Sequence, residues 1–389
     1  MKSEQNVESV PGAARNAGLV AVHDRICTAF RNAGLEPTEE KNILVTYIIW
    51  KLLKTMPREQ ISKASLDQII SKEFEPDGSI RWPIEDLIKE DLWNKLRDVA
   101  TSVDEDQADD LVLCRYPWSE ESTPDAVCKL AAGILEIRET DRIADLCCGC
   151  GGFMATAHER CPGAEITGIE SSADKAEAAK LRAKVAGERL SVHRMNAFAL
   201  DSQSCNRFDK VFCHPPLNLK WGVSILRRSP LSRFIESVAD EFPEIAASRF
   251  PEWLFCLQAI KLTVPDGKTV CLITERALRS LRDRKIRECL VAKGLVESVV
   301  MLPRNMQNQS AAKASLIVFS KGNRTVRMAD AKKYNSNYGW DDKNAIDFLA
   351  KINAPYWNET SFVRDVTVEE IAGNRYSFCP ERYFTKKDI

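Results

Sequence analysis

The strongest chemical signal in the sequence is a loop of small residues that follows an acidic residue. Asp145 stands near the end of an apolar run, Gly149 and Gly151 lie in the loop after it, and a helical pattern begins at about 152. Glycines let the backbone take positive φ angles and approach a ligand closely. The helix start behind them directs backbone N–H groups at that ligand. This arrangement predicts a ligand-binding turn between a strand and a helix at 144–153.

A second acidic residue supports a nucleotide-like ligand for this loop. Glu170 ends the next apolar run about 25 residues after Asp145, close to the spacing of about 20 residues at which an acidic side chain meets a ribose hydroxyl in βαβ units. A dinucleotide would need the pattern G-x-G-x-x-G, and Asp145 would repel its pyrophosphate. An acidic residue suits the ammonium and hydroxyl groups of S-adenosylmethionine, which is the ligand that we favour. A dinucleotide, or a tight turn that binds nothing, stays open.

The cysteine and histidine content argues against a metal site or a disulfide framework. The chain has 13 cysteines, an odd number spread through strand-like and helix-like segments, and 4 histidines. Cys147 and Cys150 form a C-x-x-C pair inside the glycine loop, but no second pair follows at ligand spacing. We therefore expect free buried thiols in a reducing compartment and no metal.

Length, charge and hydropathy limit the classes to which the protein can belong. With 389 residues the chain is expected to form two domains or more, and its formal net charge of −1 gives it no overall basic character. Nucleic-acid binding would therefore need a local basic patch or a partner. The first residues lack the pattern of a secretory signal, and no run of about 18 apolar residues occurs. We expect a soluble, cytoplasmic protein without a membrane partner.

The pattern along the chain predicts a helical domain followed by an α/β domain. We expect a flexible tail at 1–17 and a helical N-terminal domain at 18–110, where apolar residues recur at helical spacing. From 111 to 325, short β-branched runs alternate with helical segments, which predicts a mostly parallel sheet covered on both faces. A C-terminal extension of irregular pattern follows at 326–389. The seven strand-like runs are RIADL, AEITGIE, LSVHRM, DKVFC, KTVCLIT, VESVVML and ASLIVFS.

An ordered series of motifs resembles a known family. The run D-L-C-C-G-C-G-G-F at 145–153 is similar to the D-P-x-C-G-S-G-G-F motif of the N6-adenine DNA methylase family, the modification (M) subunits of type I restriction–modification systems. The segment S-T-P at 122–124 resembles the family's F-T-P segment, and H-P-P-L at 214–217 stands where the family has N-P-P-F. The run EEIAGNRYSFCPERYF at 369–384 resembles the family's closing segment. The resemblance extends through most of the chain in the family's order.

The resemblance implies a class I S-adenosylmethionine-dependent methyltransferase fold, with a Rossmann-like, seven-stranded and mostly parallel sheet whose last pair is antiparallel. The cofactor, S-adenosyl-L-methionine, would lie across the carboxyl ends of the first strands. Glu170 would bind the ribose, and Asn196 would contact the adenine in place of the family's usual Asp. The segment 123–124 would close over the methionyl end. The cofactor-binding residues that the resemblance implies are Thr123, Pro124, Asp145, Cys147, Gly149, Gly151, Phe153, Glu170 and Asn196.

The catalytic motif departs from the family pattern at two of its four positions. In the family, an Asn or Asp oxygen and a proline carbonyl accept the two N–H groups of a flipped adenine, and an aromatic residue stacks on the base. A neutral imidazole has one acceptor nitrogen, and leucine has no π face. We expect adenine-N6 methylation in an altered pocket, a degenerate site with little or no activity, or a different acceptor. The four positions here are His214, Pro215, Pro216 and Leu217.

The resemblance also implies DNA as the substrate and a specificity-type partner subunit. The sequence leaves no segment for a target-recognition domain, so we expect the chain alone to bind DNA weakly and without sequence preference. The alternative function is that of a non-enzyme, a cofactor-binding or DNA-scaffolding component of a defence or regulatory complex. A basic run at 275–290 predicts one helical stripe that could touch phosphates, or a solvated helix face, formed by Arg276, Arg279, Arg282 and Lys285.

Overall fold

The structure is a computed structural model of the 389-residue chain. It describes residues 123–186, 189–200, 205–217, 230–248, 250–303, 313–332, 342–355 and 361–384. Of the first 122 residues it describes 21–22, 24–29, 31–32, 47, 50, 54, 90–104 and 108. The tail expected at 1–17 lies outside the described residues, as does most of the helical domain expected at 18–110.

A sheet of nine strands forms the centre of the described part of the chain. The strands are β1 Arg142–Leu146, β2 Glu165–Glu170, β3 Leu190–Arg194, β4 Phe208–Cys213, β5 Thr263–Thr274, β6 Val296–Met301, β7 Ala314–Phe319, β8 Thr325–Asp330 and β9 Val363–Thr367. Their spatial order is β3-β2-β1-β4-β5-β7-β6-β8-β9. The first five strands of this order run parallel, and β7 is antiparallel to both β5 and β6. The sheet is therefore mostly parallel, and its antiparallel pairings are β5–β7, β6–β7 and β8–β9.

Helices cover both faces of this sheet. They are α1 Glu90–Thr101, α2 Asp125–Leu135, α3 Gly152–Arg160, α4 Ala173–Ala186, α5 Pro230–Val238, α6 Glu252–Leu262, α7 Glu275–Arg279, α8 Arg284–Ala292, α9 Asp342–Asn353 and α10 Val368–Gly373. Helices α2, α3, α4 and α9 share one buried apolar cluster with the sheet, and α5, α6, α8 and α10 share the other. Successive residues of β4, from Val211 to Cys213, alternate between the two clusters, as expected of a strand buried on both faces.

The sheet continues into the region where the sequence pattern looks irregular. All seven predicted runs form strands, but β8 and β9 add two more, so the sheet extends beyond the expected boundary at 325. Strand β8 pairs with β6, and β9 pairs with β8. Arg327 and Asp365 are directly opposite each other, and they form a two-pronged ion pair with N···O distances of 2.7 and 2.8 Å. Charged residues interrupt the apolar pattern of these short strands. The buried charges are compensated by this pair and by three backbone carbonyls that accept from the Arg327 guanidinium.

Two contacts join the described parts of the N-terminal region. The Arg25 guanidinium donates to the Ser102 hydroxyl at 3.1 Å. The indole N–H of Trp50 donates to the carbonyl of Val103 at 3.1 Å. The end of α1 therefore packs against helical residues far earlier in the chain. Among the described residues, no helix is both long and apolar enough to span a bilayer.

The basic run does not form the single helical stripe that its spacing predicts. Helix α7 ends at Arg279 and α8 begins at Arg284, so a turn separates the two halves of the run. The cause is Arg287, whose side chain is 0% exposed. Its guanidinium donates to the carbonyls of Ala277 and Ser280, at 2.9 and 2.8 Å, at the end of α7. A buried guanidinium needs such acceptors, and these carbonyls are free only where the helix stops.

Candidate active site

The residues singled out in the sequence lie where several parallel strands end. The glycine loop follows β1, Glu170 is the last residue of β2, and His214 is the first residue after β4. These three strands are neighbours in the sheet and run in the same direction. Their carboxyl ends meet at one edge, where open α/β sheets bind their ligands. The fold therefore brings two distant motifs to one site.

The loop after β1 takes its shape from three residues with positive φ angles. These angles are 66° at Cys147, 55° at Gly149 and 84° at Gly151. Gly151 precedes the first residue of α3 and is in the left-handed region. The guanidinium of Arg182, from α4, donates to the carbonyl of Cys150 and fastens the loop to the neighbouring helix. A loop of this shape exposes backbone N–H groups at the start of α3.

Glu170 connects the loop to the second strand. Its carboxylate accepts from the backbone N–H of Gly149 at 2.9 Å and from that of Ser172 at 2.7 Å. The side chain is buried. One carboxylate thus orders the loop after β1 and the start of the segment after β2. Oε1 also accepts from the Ser171 hydroxyl at 3.4 Å, so Oε2 has the further lone pair that a ligand hydroxyl could use.

Asp145 is a buried carboxylate without a partner. Its side chain is 1% exposed, and neither oxygen has a hydrogen-bond partner among the described residues. Burial, followed by the negative charge of Glu170, raises the pKa of Asp145 well above its ordinary value. An unsatisfied buried carboxylate is costly, so its presence at a strand end indicates a ligand with a positive charge or hydrogen-bond donors.

The two glycines with positive φ face different surroundings. A Cβ atom on Gly149 would meet nothing within 4 Å, whereas one on Gly151 would touch the Cβ of Ala179 at 3.4 Å. Open space therefore lies over Gly149, and packed protein lies over Gly151. The open space adjoins the carboxylate of Glu170, which binds the N–H of Gly149.

The side chain of His214 contacts Thr123, which belongs to the S-T-P segment at 122–124. Its Nδ1 lies 2.7 Å from the hydroxyl of Thr123, the residue before Pro124, which caps the start of α2. Burial, followed by the positive charge of Lys175, lowers the pKa of His214 to about 4. The imidazole is therefore neutral at neutral pH. No sequence pattern links these residues, because the contact forms only when α2 packs beside the end of β4.

The other motif residues differ in their exposure. Pro215 is buried, Pro216 is exposed, and Leu217 is half-buried against the apolar cluster formed with α2 and α3. Phe153 is 1% exposed, and its ring stacks on Phe212 with the centroids 4.2 Å apart. The Phe153 ring thus belongs to the core beneath the loop. Only the backbone of Phe153 is therefore left to contact a ligand.

Asn196 lies after β3 with its side chain engaged locally. Its Oδ1 accepts from the backbone N–H of Phe198 at 2.9 Å and caps the short 3₁₀ turn Ala197–Ala199. The residue is exposed. Its amide nitrogen and one oxygen lone pair stay available to a ligand at the end of β3.

A line of thiols passes beneath the site, which the sequence pattern did not indicate. The Cys213 thiol neighbours those of Cys147 and Cys271, and Cys271 also neighbours Cys256. Cys213 and Cys271 are register partners on β4 and β5. The described residues contain no group of three or more potential ligands that could bind a metal ion. Cys213, Cys256 and Cys271 are buried in the apolar core, and Cys147 packs against it.

Comparison with known proteins identifies the family. The model of the family described as N-6 DNA Methylase matches residues 120–389, which include the loop, the strands and the His-Pro-Pro-Leu motif. The chain belongs to the N-6 DNA methylase family. The match begins three residues before Thr123 and extends over the C-terminal strands, so the whole sheet lies within this family's domain.

The sequence of one curated relative agrees with this membership. The methylase subunit of the type I restriction enzyme MjaVIII from Methanocaldococcus jannaschii is 23% identical over an alignment of 297 residues, which covers 68% of this chain and 49% of that protein. The chain thus spans about half the length of this curated relative.

Solved structures share the fold. The type I restriction-modification methyltransferase subunit from Streptococcus thermophilus gives a TM-score of 0.72 at 16% identity, covering 94% of this chain and 99% of that one. A putative class I S-adenosylmethionine-dependent methyltransferase from Listeria monocytogenes gives 0.59 at 16% identity, covering 88% and 98%. The α/β domain therefore has the class I methyltransferase fold.

Proposed function

We propose that this chain transfers the methyl group of S-adenosylmethionine to the N6 amino group of adenine in DNA, as a modification subunit of the type I kind. The observation that carries the proposal is the neutral His214, which the Thr123 hydroxyl contacts at 2.7 Å beside the glycine loop. A neutral imidazole at the first position of the motif retains one acceptor nitrogen for the base. Family membership supports the same reaction.

The residues at the carboxyl edge fit the cofactor. The unpartnered carboxylate of Asp145 suits the donors of the methionyl part, and the open space over Gly149 leaves room for a ligand against the backbone. Oε2 of Glu170 retains a lone pair for a ribose hydroxyl, and Asn196 retains donor and acceptor groups for the adenine ring. When bound, S-adenosylmethionine supplies an electrophilic methyl group on a sulfonium.

The motif provides acceptors for the target amino group. This nitrogen is a poor nucleophile because its lone pair is delocalised into the purine ring, and positive charge develops on it as the methyl bond forms. His214 would accept one N–H, and the carbonyl of Pro215 would accept the other, as the family motif implies. Acceptors aimed at developing positive charge stabilise the transition state. The departing proton can then pass to solvent.

Leu217 favours a second candidate function. Its half-buried side chain packs against the apolar core, so it offers no ring to stack on a flipped base. Base–aromatic stacking contributes about 1–3 kcal/mol, so its loss slows an enzyme that depends on it. A chain that binds cofactor and DNA but transfers no methyl group would be a scaffolding component of a defence or regulatory complex.

A group of unpaired cations adjoins the motif and suits the phosphates of DNA. Helix α7 follows the carboxyl end of β5, which is the neighbour of β4. Arg276, Arg279 and Arg282 are exposed and make no ion pair with any described residue. Exposed Lys313 lies beside the start of α7, because its carbonyl accepts from the backbone N–H of Glu275 at 2.9 Å. A base that enters the pocket would bring its flanking phosphates near these residues.

We expect the triple variant Arg276→Ala, Arg279→Ala, Arg282→Ala to weaken nonspecific DNA binding by the full chain. Each lost phosphate contact should reduce the slope of log K against log salt by about 0.9. Fluorescence anisotropy with a labelled duplex over a salt series measures both quantities. Lys321→Ala with Arg324→Ala, two exposed positions between β7 and β8 at the opposite edge of the sheet, is the matched control. Equal affinities and slopes for the two variants would contradict this placement.

The two glycines offer a test of the cofactor site. Gly149→Ala and Gly151→Ala each place a side chain at a positive φ, so each should destabilise the fold by about 1–2 kcal/mol. Only the new methyl group at 149 would enter the open space, so Gly149→Ala alone should also weaken S-adenosylmethionine binding. Urea unfolding and isothermal titration calorimetry measure the two effects. Equal loss of cofactor affinity in both variants would argue against a ligand over Gly149.

The proposed reaction is tested by methyl transfer itself. Duplex DNA is incubated with the full chain and S-adenosylmethionine that carries a labelled methyl group, with and without a specificity-type partner subunit. Digestion to nucleosides and mass spectrometry should find the label on the N6 of adenine. If cofactor and DNA both bind but no adenine is labelled even with the partner present, the scaffolding function replaces the enzymatic one.

A further inference from the structure

The contact between Thr123 and His214 decides which imidazole nitrogen can face a substrate. The two residues are 91 positions apart, and the Thr123 Oγ1 lies 2.7 Å from Nδ1 of His214. Nδ1 is therefore engaged by the protein. Nε2 has no hydrogen-bond partner among the residues that the structure describes, so it is the nitrogen left for a ligand.

A neutral imidazole carries one N–H and one lone pair, and its surroundings select which nitrogen has the proton. If the Thr123 hydroxyl donated to Nδ1, then Nε2 would carry the hydrogen of His214 and act as a donor. An N–H donor at Nε2 would face the N–H groups of an exocyclic amine and could form no hydrogen bond with them. If Nδ1–H donates to the hydroxyl, Nε2 has a free lone pair and can accept from that amine.

We propose that Thr123 is a positioning residue that accepts the Nδ1–H of His214 and so maintains the tautomer whose Nε2 is a hydrogen-bond acceptor. The inference rests on the proposed adenine-N6 methyl transfer, because that reaction needs an acceptor at this position. Together with the Pro215 carbonyl, the Nε2 lone pair makes the pocket a pair of acceptors. Such a pair selects a base that carries an amino group and disfavours one that presents a carbonyl.

The hydroxyl that accepts from His214 needs an acceptor for its own hydrogen. The sequence resemblance places Thr123 at the methionyl end of the cofactor, and the carboxylate there is an acceptor of the right chemistry. A bound cofactor would then favour the same tautomer that the substrate needs. One hydroxyl would then serve both ligands, because Thr123 lies before the start of α2 and contacts the residue that follows β4.

The tautomer can be read directly by nitrogen-15 NMR of the full chain labelled at histidine. The chain has 4 histidines, and the loss of one signal in His214→Asn assigns His214. The couplings of the ring protons distinguish a protonated from an unprotonated nitrogen. We expect Nδ1–H in the wild type and in Thr123→Ser, with and without S-adenosylhomocysteine. Nε2–H in the wild type would overturn the proposal, whether or not Thr123→Val folds.

The matched variants separate positioning from cofactor contact. Thr123→Val removes the hydroxyl at nearly constant volume, so His214 should shift toward Nε2–H and kcat should fall by about 10- to 100-fold, as for other residues that orient an active-site group. Thr123→Ser should restore both. If Thr123→Val weakens cofactor binding and leaves the tautomer unchanged, the residue serves the cofactor alone and the proposal is wrong. The NMR reading needs neither DNA nor methyl transfer, so it stands even if the chain proves to be a non-enzyme.

Discussion

Replacing His214 by alanine is expected to slow adenine methylation by about 10²–10³-fold, the usual cost of removing one group that stabilises charge developing in a transition state. The variant removes the only side-chain acceptor of the motif and leaves the proline carbonyl. His214→Asn should retain much of the rate, because it returns an amide oxygen at the position where the family has one. Single-turnover transfer of a labelled methyl group, with the partner subunit present, measures these rates.

A second variant changes Leu217, which occupies the position where the family has an aromatic residue that stacks on the base. Leu217→Phe should raise the rate, because base–ring stacking contributes about 1–3 kcal/mol. His214→Asn combined with Leu217→Phe should transfer faster than the wild type, and the two effects should couple because both groups act on the same flipped base. A fast wild type with a slow double variant would show that His214 belongs to a pocket shaped for it. If His214→Ala transfers as fast as the wild type, the imidazole has no part in the reaction.

Glu170→Ala should weaken S-adenosylmethionine binding by about 1.5–3 kcal/mol, the range for hydrogen bonds to a charged group. The carboxylate orders the loop through the Gly149 N–H and is proposed to bind the ribose, so the variant loses both contributions. Isothermal titration calorimetry on the full chain measures the change. Circular dichroism of the free variant checks that the fold persists.

Glu165→Ala is the matched control for this change. Glu165 begins the strand that Glu170 ends, it is exposed, and it lies at the opposite edge of the sheet. Removing its carboxylate should leave cofactor affinity unchanged. Failure of the wild type to bind S-adenosylmethionine at millimolar concentration would refute the cofactor assignment altogether. An equal loss in both variants would show that the effect comes from the strand and not from the ligand site.

The local elements of the site could be predicted from sequence because each depends on neighbours along the chain. Two of the three positive φ angles in the loop at 145–153 fall on glycines, Gly149 and Gly151, and Glu170 ends the strand that follows. The seven strand-like runs form strands because apolar residues concentrate in them. The strand pair beyond 325 was missed, because Arg327 and Asp365 interrupt the apolar pattern. Their charges are compensated by each other and by backbone carbonyls that come together only in the fold.

Tertiary packing decided what local patterns could not. The spacing of the basic residues suits one helix, but the buried guanidinium of Arg287 requires carbonyls at a helix end, and the run breaks there. The sequence by itself determined the fold class, the position of the glycine loop and the altered His-Pro-Pro-Leu motif. Only the tertiary structure decided that Thr123 meets His214 and that burial beside Lys175 keeps the imidazole neutral. Hydrogen bonding and desolvation depend on atoms that are distant in the chain and adjacent in space, so they act only once the helices pack on the sheet.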